Sequence, residues 1–201
     1  MSRQKGDIMR EVMISIQPKW VEKICRKEKT VEVRKTKPKC EVPFKCYIYC
    51  TQGKLKDLGI IGNEIYQKRM KVIGEFVCDR IEEFVNLPLS LFAPIGTLEQ
   101  TCLTTEQIRE YLNGKNGYGW HITDLVVYDE PRELSEFYAE GDCDCMNCKK
   151  CYWFDRGNGY NVENDCNLAY KCVELHKSFK PIIRPPQSYC YIATEPRQTA
   201  D

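Results

Sequence analysis

The sequence predicts an α+β domain built on a small, mostly antiparallel β-barrel with two or three helices. Three observations lead there. Five or six short runs, rich in aromatic and β-branched residues, alternate apolar and polar side chains at the period of a strand. Only two or three stretches carry helical spacing, and there is no internal repeat. Six of the thirteen cysteines crowd into residues 143–172, a pattern that predicts a metal-stapled insertion.

In chain order, Val12–Ile16 alternates as a strand. Pro18 suits the first turn of a helix, and Trp20, Val21, Ile24 and Cys25 recur at helical spacing to about Arg26. Thr30–Lys35 alternates apolar and charged residues, as a half-buried strand does, and Lys45–Thr51 is a strong strand. Lys71–Ile81 reads as a long strand able to bend at Gly74. Thr104–Asn113 is the clearest helix: Thr104 and Gln107 have capping-box spacing, Ile108, Tyr111 and Leu112 form an apolar face, and Gly114 ends it. Strands follow from Trp120 and around Leu125–Tyr128, Pro131–Phe137 reads as a short helix, and Ser188–Ala193 closes as a last strand. These boundaries give one domain over residues 12–193, with an insertion at 138–183 and loose tails at 1–11 and 194–201.

The net charge of +1 conceals an asymmetry. Residues 1–80 hold 19 Lys/Arg against 10 Asp/Glu, and the remainder holds 11 against 19. The first part can therefore present a positive face to phosphates, or the two parts can partly neutralise one another. No apolar run approaches the ~20 residues that span a bilayer, and the start lacks a secretory apolar region, so no membrane partner and a cytoplasmic location are expected. No nucleophile elbow, Walker loop or dinucleotide fingerprint is present, which leaves the hydrolase, NTPase and dehydrogenase templates without support.

Three pieces together resemble the ASCH family. In Glu28-Lys29-Thr30-Val31-Glu32-Val33-Arg34, residues Lys29, Glu32 and Arg34 fall on the Lys, Glu and Arg of a GxKxxExR signature, with Lys27 at its glycine position. Lys71–Phe84 is similar to the strand that crosses the family's barrel, and Trp120-His121-Ile122-Thr123 is similar to its W-x-I stretch. The resemblance covers residues 12–137 and 184–193. It implies a PUA-like barrel with a cleft between the first helix and the sheet, binding RNA, another single-stranded nucleic acid or a modified nucleotide. One subgroup resembles an amidohydrolase of N4-acetylcytidine that uses a Lys, a Thr and a later Glu. Lys29 matches the Lys, Glu32 occupies the Thr position, and Glu106 and Glu110 are candidates for the later Glu. Other members resemble metal-dependent ribonucleases.

Alternation puts Glu32 and Arg34 on one face of their strand and Val31 and Val33 on the other, with Lys29 at the entrance. An Arg fork holds a phosphate or base edge, and a Glu accepts from an exocyclic amine; the same trio also suits a surface salt-bridge ladder. Lys19, Lys35, Tyr118, Trp120 and His121 complete the candidate binding set, combining cations for a backbone with rings that stack bases. Tyr118 and Trp120 suit core positions equally, Trp20 reads as core, and His121 suits a structural hydrogen bond. If the cleft is catalytic, Lys29, Glu32 and Glu75 are the acid/base candidates; Glu75 sits mid-strand, either on the barrel exterior or in a cleft. A protein–protein adaptor is the third possibility, and oligomeric state is not legible.

Cys25, Cys40, Cys46, Cys50, Cys78, Cys102 and Cys190 are scattered and read as small buried hydrophobes. The crowded six include a CxxC knuckle. Cys148, Cys151, Cys166 and Cys172 suit a tetrahedral structural zinc, with Cys143, Cys145 and His176 as alternates. An iron–sulfur cluster is the other reading of six cysteines.

Overall fold

A computed structural model describes residues 9–54, 61–139 and 180–193. The cysteine-rich segment, and with it the proposed ligands Cys148, Cys151, Cys166 and Cys172 and the alternates Cys143, Cys145 and His176, lies outside the described residues.

The strands form two sheets. The first has seven strands: β10 (Lys180–Pro181), β9 (Tyr138–Ala139), β11 (Tyr189–Ile192), β1 (Glu11–Ile16), β3 (Phe44–Cys50), β4 (Lys71–Cys78) and β8 (Thr123–Arg132), in that order. The second orders β2 (Val31–Arg34), β7 (Gly117–His121), β5 (Ile81–Asn86) and β6 (Leu91–Phe92). The expected mixed α+β class with mostly antiparallel strands is present, but among the described residues no ladder joins the two sheets into a closed barrel. The run Lys71–Ile81 does not continue as one strand. It ends at Cys78 and β5 starts at Ile81, so the chain passes from one sheet to the other across Asp79-Arg80.

Among the described residues all pairings but one are antiparallel; β1 and β3 run parallel, Glu11 opposite Lys45 through Ile16 opposite Cys50. A parallel pair needs a long crossover. Here it is α1 (Pro18–Cys25) followed by β2, which makes its excursion into the second sheet. Pro18 opens α1 as expected, and Val21 and Ile24 are buried. The helix ends in a Schellman turn: Lys27 N–H donates to Ile24 O at 2.8 Å and Glu28 N–H to Lys23 O at 2.9 Å. Lys27 adopts φ +61°, the left-handed conformation that glycine reaches without cost. The tight helix end is therefore made, with a lysine in it.

The helix that caps the second sheet is α4 (Thr105–Leu112), preceded by the short α2 (Asn63–Gln67) and α3 (Thr97–Gln100), two helices the sequence pattern did not mark. The capping box is present: Gln107 N–H donates to Thr104 Oγ1, and Thr104 N–H donates to Gln107 Oε1. Asn113, in the left-handed region at φ 51°, closes the helix one residue before Gly114. Pro131–Phe137 is mostly not helical, because β8 extends to Arg132 and only a 3₁₀ turn, Leu134–Glu136, follows.

Three apolar layers result. Between the sheets lie Val12, Ile14 and Ile16 of β1, Cys46 and Ile48 of β3, Phe76 of β4 and Trp120 of β7. Met13, Tyr47, Tyr49 and Val72 face the other side of the large sheet and are covered by Leu134 and Phe137. Val31, Val33 and Phe84 face outward from the small sheet onto Ile108 and Leu112 of α4. Val72 and Glu75 share a face although they stand three positions apart, because the β4–β8 ladder shifts register at Gly74. A Cβ on Gly74 would stand 2.4 Å from the Val126 carbonyl oxygen.

Candidate functional site

The alternation of β2 decides the site. With Val31 and Val33 committed to the α4 layer, Glu32 and Arg34 turn inward, toward the gap between the sheets. That gap opens as a cleft of about 720 Å³. Its walls are the end of β1 with the first turn of α1 (Ser15, Lys19, Trp20), the β2 triad (Lys29, Glu32, Arg34), the α4 face (Gln107, Glu110, Tyr111), Lys54, and Pro185–Gln187 ahead of β11.

Lys29 is 1% exposed. Its ammonium donates to Val31 O at 2.8 Å and Thr101 O at 2.7 Å, and lies 3.3 Å from Glu32 Oε2. Its Nζ is also 5.5 Å from the Trp20 ring centroid. Burying an ammonium is costly unless its donors are matched, and here they are. Arg34 Nη1 donates to Ser15 O at 3.1 Å and lies 3.7 Å from Glu32 Oε1, while Nη2 donates to Ser188 O. Arg34 thus ties β1, β2 and the approach to β11 together at the cleft floor; its Nε has no acceptor among the described residues. One carboxylate, Glu32, serves two cations.

The rim adds Lys19, whose Nζ is 5.1 Å from the Trp20 ring; Lys35 is outside the lining, its Nζ 5.0 Å from the Tyr111 ring. Counting Lys54 and Glu110, the groups lining the cleft are four cations against two acids. The cleft therefore favours an anion. Trp20 is only half-buried and lines the cleft, although its spacing in the sequence reads as core. Tyr111, whose spacing puts it with Ile108 and Leu112, sits on the flank of that stripe and remains 41% exposed in the cleft lining. The signal that finds both is position within the apolar stripe: an aromatic at its edge, next to charged residues, faces the groove between elements.

Other candidates are placed elsewhere. Trp120 is fully buried between the sheets, edge-on to Phe44 with ring centroids 5.4 Å apart. Tyr118 shares that face and lies beneath Lys37, Nζ 5.5 Å from its ring, outside the cleft lining. His121 follows Trp120 and so points to the opposite face of β7. There Nε2 lies 3.0 Å from Glu82 Oε2 and Nδ1 lies 3.1 Å from Arg80 Nη2. Burial raises the Glu82 carboxyl, but the hydrogen bonds from Thr97 and His121 and the charges of His121 and Arg80 outweigh it and hold the group below the usual carboxylate range. Glu75 lies on the outer face of the large sheet, 3.0 Å from Lys45 Nζ and accepting from Tyr128 Oη at 2.6 Å. Of the two candidates on α4, Glu110 lines the cleft and Glu106 does not.

Among the described residues no cluster of three or more His, Cys, Asp or Glu is arranged for a metal ion, and no helix is long and apolar enough to cross a membrane. No protein-family profile matches the chain, and no curated protein matches it. The solved structures do include similar folds. The crystal structure of an ASCH protein from Zymomonas mobilis aligns over 92% of this chain and 89% of its own, at 18% identity and a TM-score of 0.52. Two single-substitution variants of that protein align at 18% identity with TM-scores of 0.49, over 92% of this chain and 91% and 89% of theirs.

Proposed function

We propose that this chain, which has the fold of an ASCH domain, is a binding module that takes a nucleotide unit of RNA, or of another single-stranded or modified nucleic acid, into the cleft between its sheets. The observation that carries this reading is the shared carboxylate: two buried cations, Lys29 and Arg34, face one Glu32. With one carboxylate between two cations the floor keeps a positive charge, and a phosphate can meet it at Arg34, whose Nε has no acceptor among the described residues. The volume of about 720 Å³ falls within the ~300–1,000 Å³ usual for small-molecule sites. Trp20 and Tyr111, from α1 and α4, supply ring surface in the lining, and Glu32 supplies an acceptor for an exocyclic amine.

A catalytic reading of the same cleft, as a ribonuclease or amidohydrolase, draws on Glu110 in its wall together with Lys29 and Glu32. Lys29 is poorly prepared for proton transfer, because its N–H groups are directed at two carbonyls and a carboxylate. Binding is thus the function favoured. We also propose that Cys148, Cys151, Cys166 and Cys172 hold one structural zinc. Support comes from the spacing of the cysteines in the sequence, two clusters joined by a short loop.

The test is binding of the four nucleoside monophosphates and the corresponding trinucleotides by wild type and Glu32→Gln, with products examined by mass spectrometry. Wild type should bind saturably without turnover. Glu32→Gln should lose about tenfold or more of the discrimination between cytosine and uracil, as expected for one base-edge contact of ~1–3 kcal/mol. Unchanged selectivity in the variant removes Glu32 from base reading, and a new product mass replaces the binding reading with the catalytic one.

A further inference from the structure

We infer that the segment from Lys35 to Lys39 is a backbone track leading out of the cleft, so that the ligand is a single-stranded polynucleotide and not a free nucleotide. The inference rests on the cleft reading above. Residues 34–39 carry four cations and no acid, and Glu41 is the next carboxylate along the chain. Lys35, Lys37 and Lys39 are exposed, while Arg34 and Pro38 are buried. Among the described residues none of the three lysines forms an ion pair, so their charge is left for a ligand to meet.

The backbone beneath them is held in place. Arg34 donates to Ser188 O, Thr36 Oγ1 lies 2.7 Å from Ser188 Oγ, and Lys39 N–H donates to Tyr191 Oη at 2.7 Å. Pro38 removes further freedom and biases Lys37 toward extended backbone. At no more than ~3.6 Å per residue, successive lysines of the set stand within about 7 Å of each other at Cα, a pitch on the scale of neighbouring phosphates in an extended strand. Fixed cations lose less entropy on binding than cations on a floppy loop.

Tyrosines accompany the track. Lys35 lies against Tyr111 and Lys37 against Tyr118, and Tyr191, which holds the Lys39 amide, has the Arg10 guanidinium 5.3 Å from its ring. Tyr111 is itself part of the cleft wall, and Ser188 directly follows the Pro185–Gln187 wall, so the track starts at the rim. Cations in series with rings beside them suit a strand whose bases are unpaired and free to stack; a duplex offers only its backbone.

The experiment uses the full chain, wild type and Lys35→Gln/Lys37→Gln/Lys39→Gln, against a fluorescein-labelled mixed-sequence 12-nucleotide RNA and a labelled trinucleotide, across a salt series. Wild type should bind the 12-mer more tightly than the trinucleotide. The triple variant should lose at least tenfold on the 12-mer, with its log–log salt slope reduced by about 2, at ~0.7 per phosphate contact on single strands. Trinucleotide affinity should stay within about twofold, the melting temperature should hold, and the triple Lys→Arg variant should bind as wild type. Unchanged 12-mer affinity and slope, or equal wild-type affinity for both lengths, overturns the track and leaves the cleft standing. If wild type binds neither probe, the cleft reading falls and the track falls with it.

Discussion

Lys29 shows how the cleft floor is built from single interactions. An ammonium that reaches two carbonyls and a carboxylate at 1% exposure is a structural fastener, joining β2 to the Thr101 turn ahead of α4. Removing Lys29 leaves Glu32 with only its longer 3.7 Å pairing to Arg34 and takes the donor from two carbonyls, at a cost approaching the ~3–5 kcal/mol of breaking a buried pair. Lys29→Met should lower the free energy of unfolding by that amount in urea titration. Lys29→Met/Glu32→Gln should lose less than the sum of the two single changes, since each single change already removes the Lys29–Glu32 attraction. Additive losses would show that the two side chains do not interact. Of the seven scattered cysteines expected as buried hydrophobes, Cys46, Cys50 and Cys78 are buried while Cys25, Cys40, Cys102 and Cys190 are half-buried, and desolvation pushes the thiols of Cys50 and Cys78 up to about 12, so both stay neutral thiols at physiological pH.

At the scale of elements, two backbone positions shape the site. Lys27 closes α1 in a conformation that costs an L-residue about 1–2 kcal/mol, whereas glycine brings back only its own larger chain entropy, about 0.5–1 kcal/mol. Lys27→Gly should therefore stabilise the protein by roughly 0.5–1 kcal/mol in the same titration, and nucleotide binding should be unchanged because Lys27 is exposed and outside the cleft lining. A destabilised variant would mean that the lysine side chain supports the turn. Gly74 acts in the opposite sense. A Cβ there meets a backbone oxygen of β8, which cannot swing aside as a side-chain end can. Gly74→Ala should cost about 1–3 kcal/mol, the range of overpacking, read as a lower denaturation midpoint with unchanged m-value.

For the molecule as a whole, two sheets share one apolar layer, and the cleft opens where that layer gives way to the polar face of β2. Arg34 bridges this boundary, so the site is assembled only when β1, β2 and the approach to β11 come together. The cysteine-rich segment joins β9 to β10, which pair with each other in the large sheet. If it holds zinc, Cys151→Ser should lose about one equivalent of metal by elemental analysis and make residues 141–176 sensitive to protease. Full metal content in that variant would remove Cys151 from the ligand set.

Local signals carried much of this. The Thr104/Gln107 capping box, the Pro18 helix start and the alternation of Val31–Arg34 were legible because each depends on neighbours within a turn or a strand. They also told which of two faces each residue of β2 takes. What the sequence by itself determined was therefore the mixed α+β class, most element positions, and a polar face of Glu32 and Arg34 with Lys29 beside it. Tertiary structure alone decided which side chains meet across the gap. It brought Trp20, Lys54, Glu110 and Tyr111 to the cleft, and it sent Glu75 to the outer face and His121 to Glu82. It also arranged the strands as two sheets, with the crossing between them at Asp79-Arg80. These outcomes depend on long-range pairing and on bulges such as the one at Gly74, which reassign faces by one residue and leave no periodic trace in the chain.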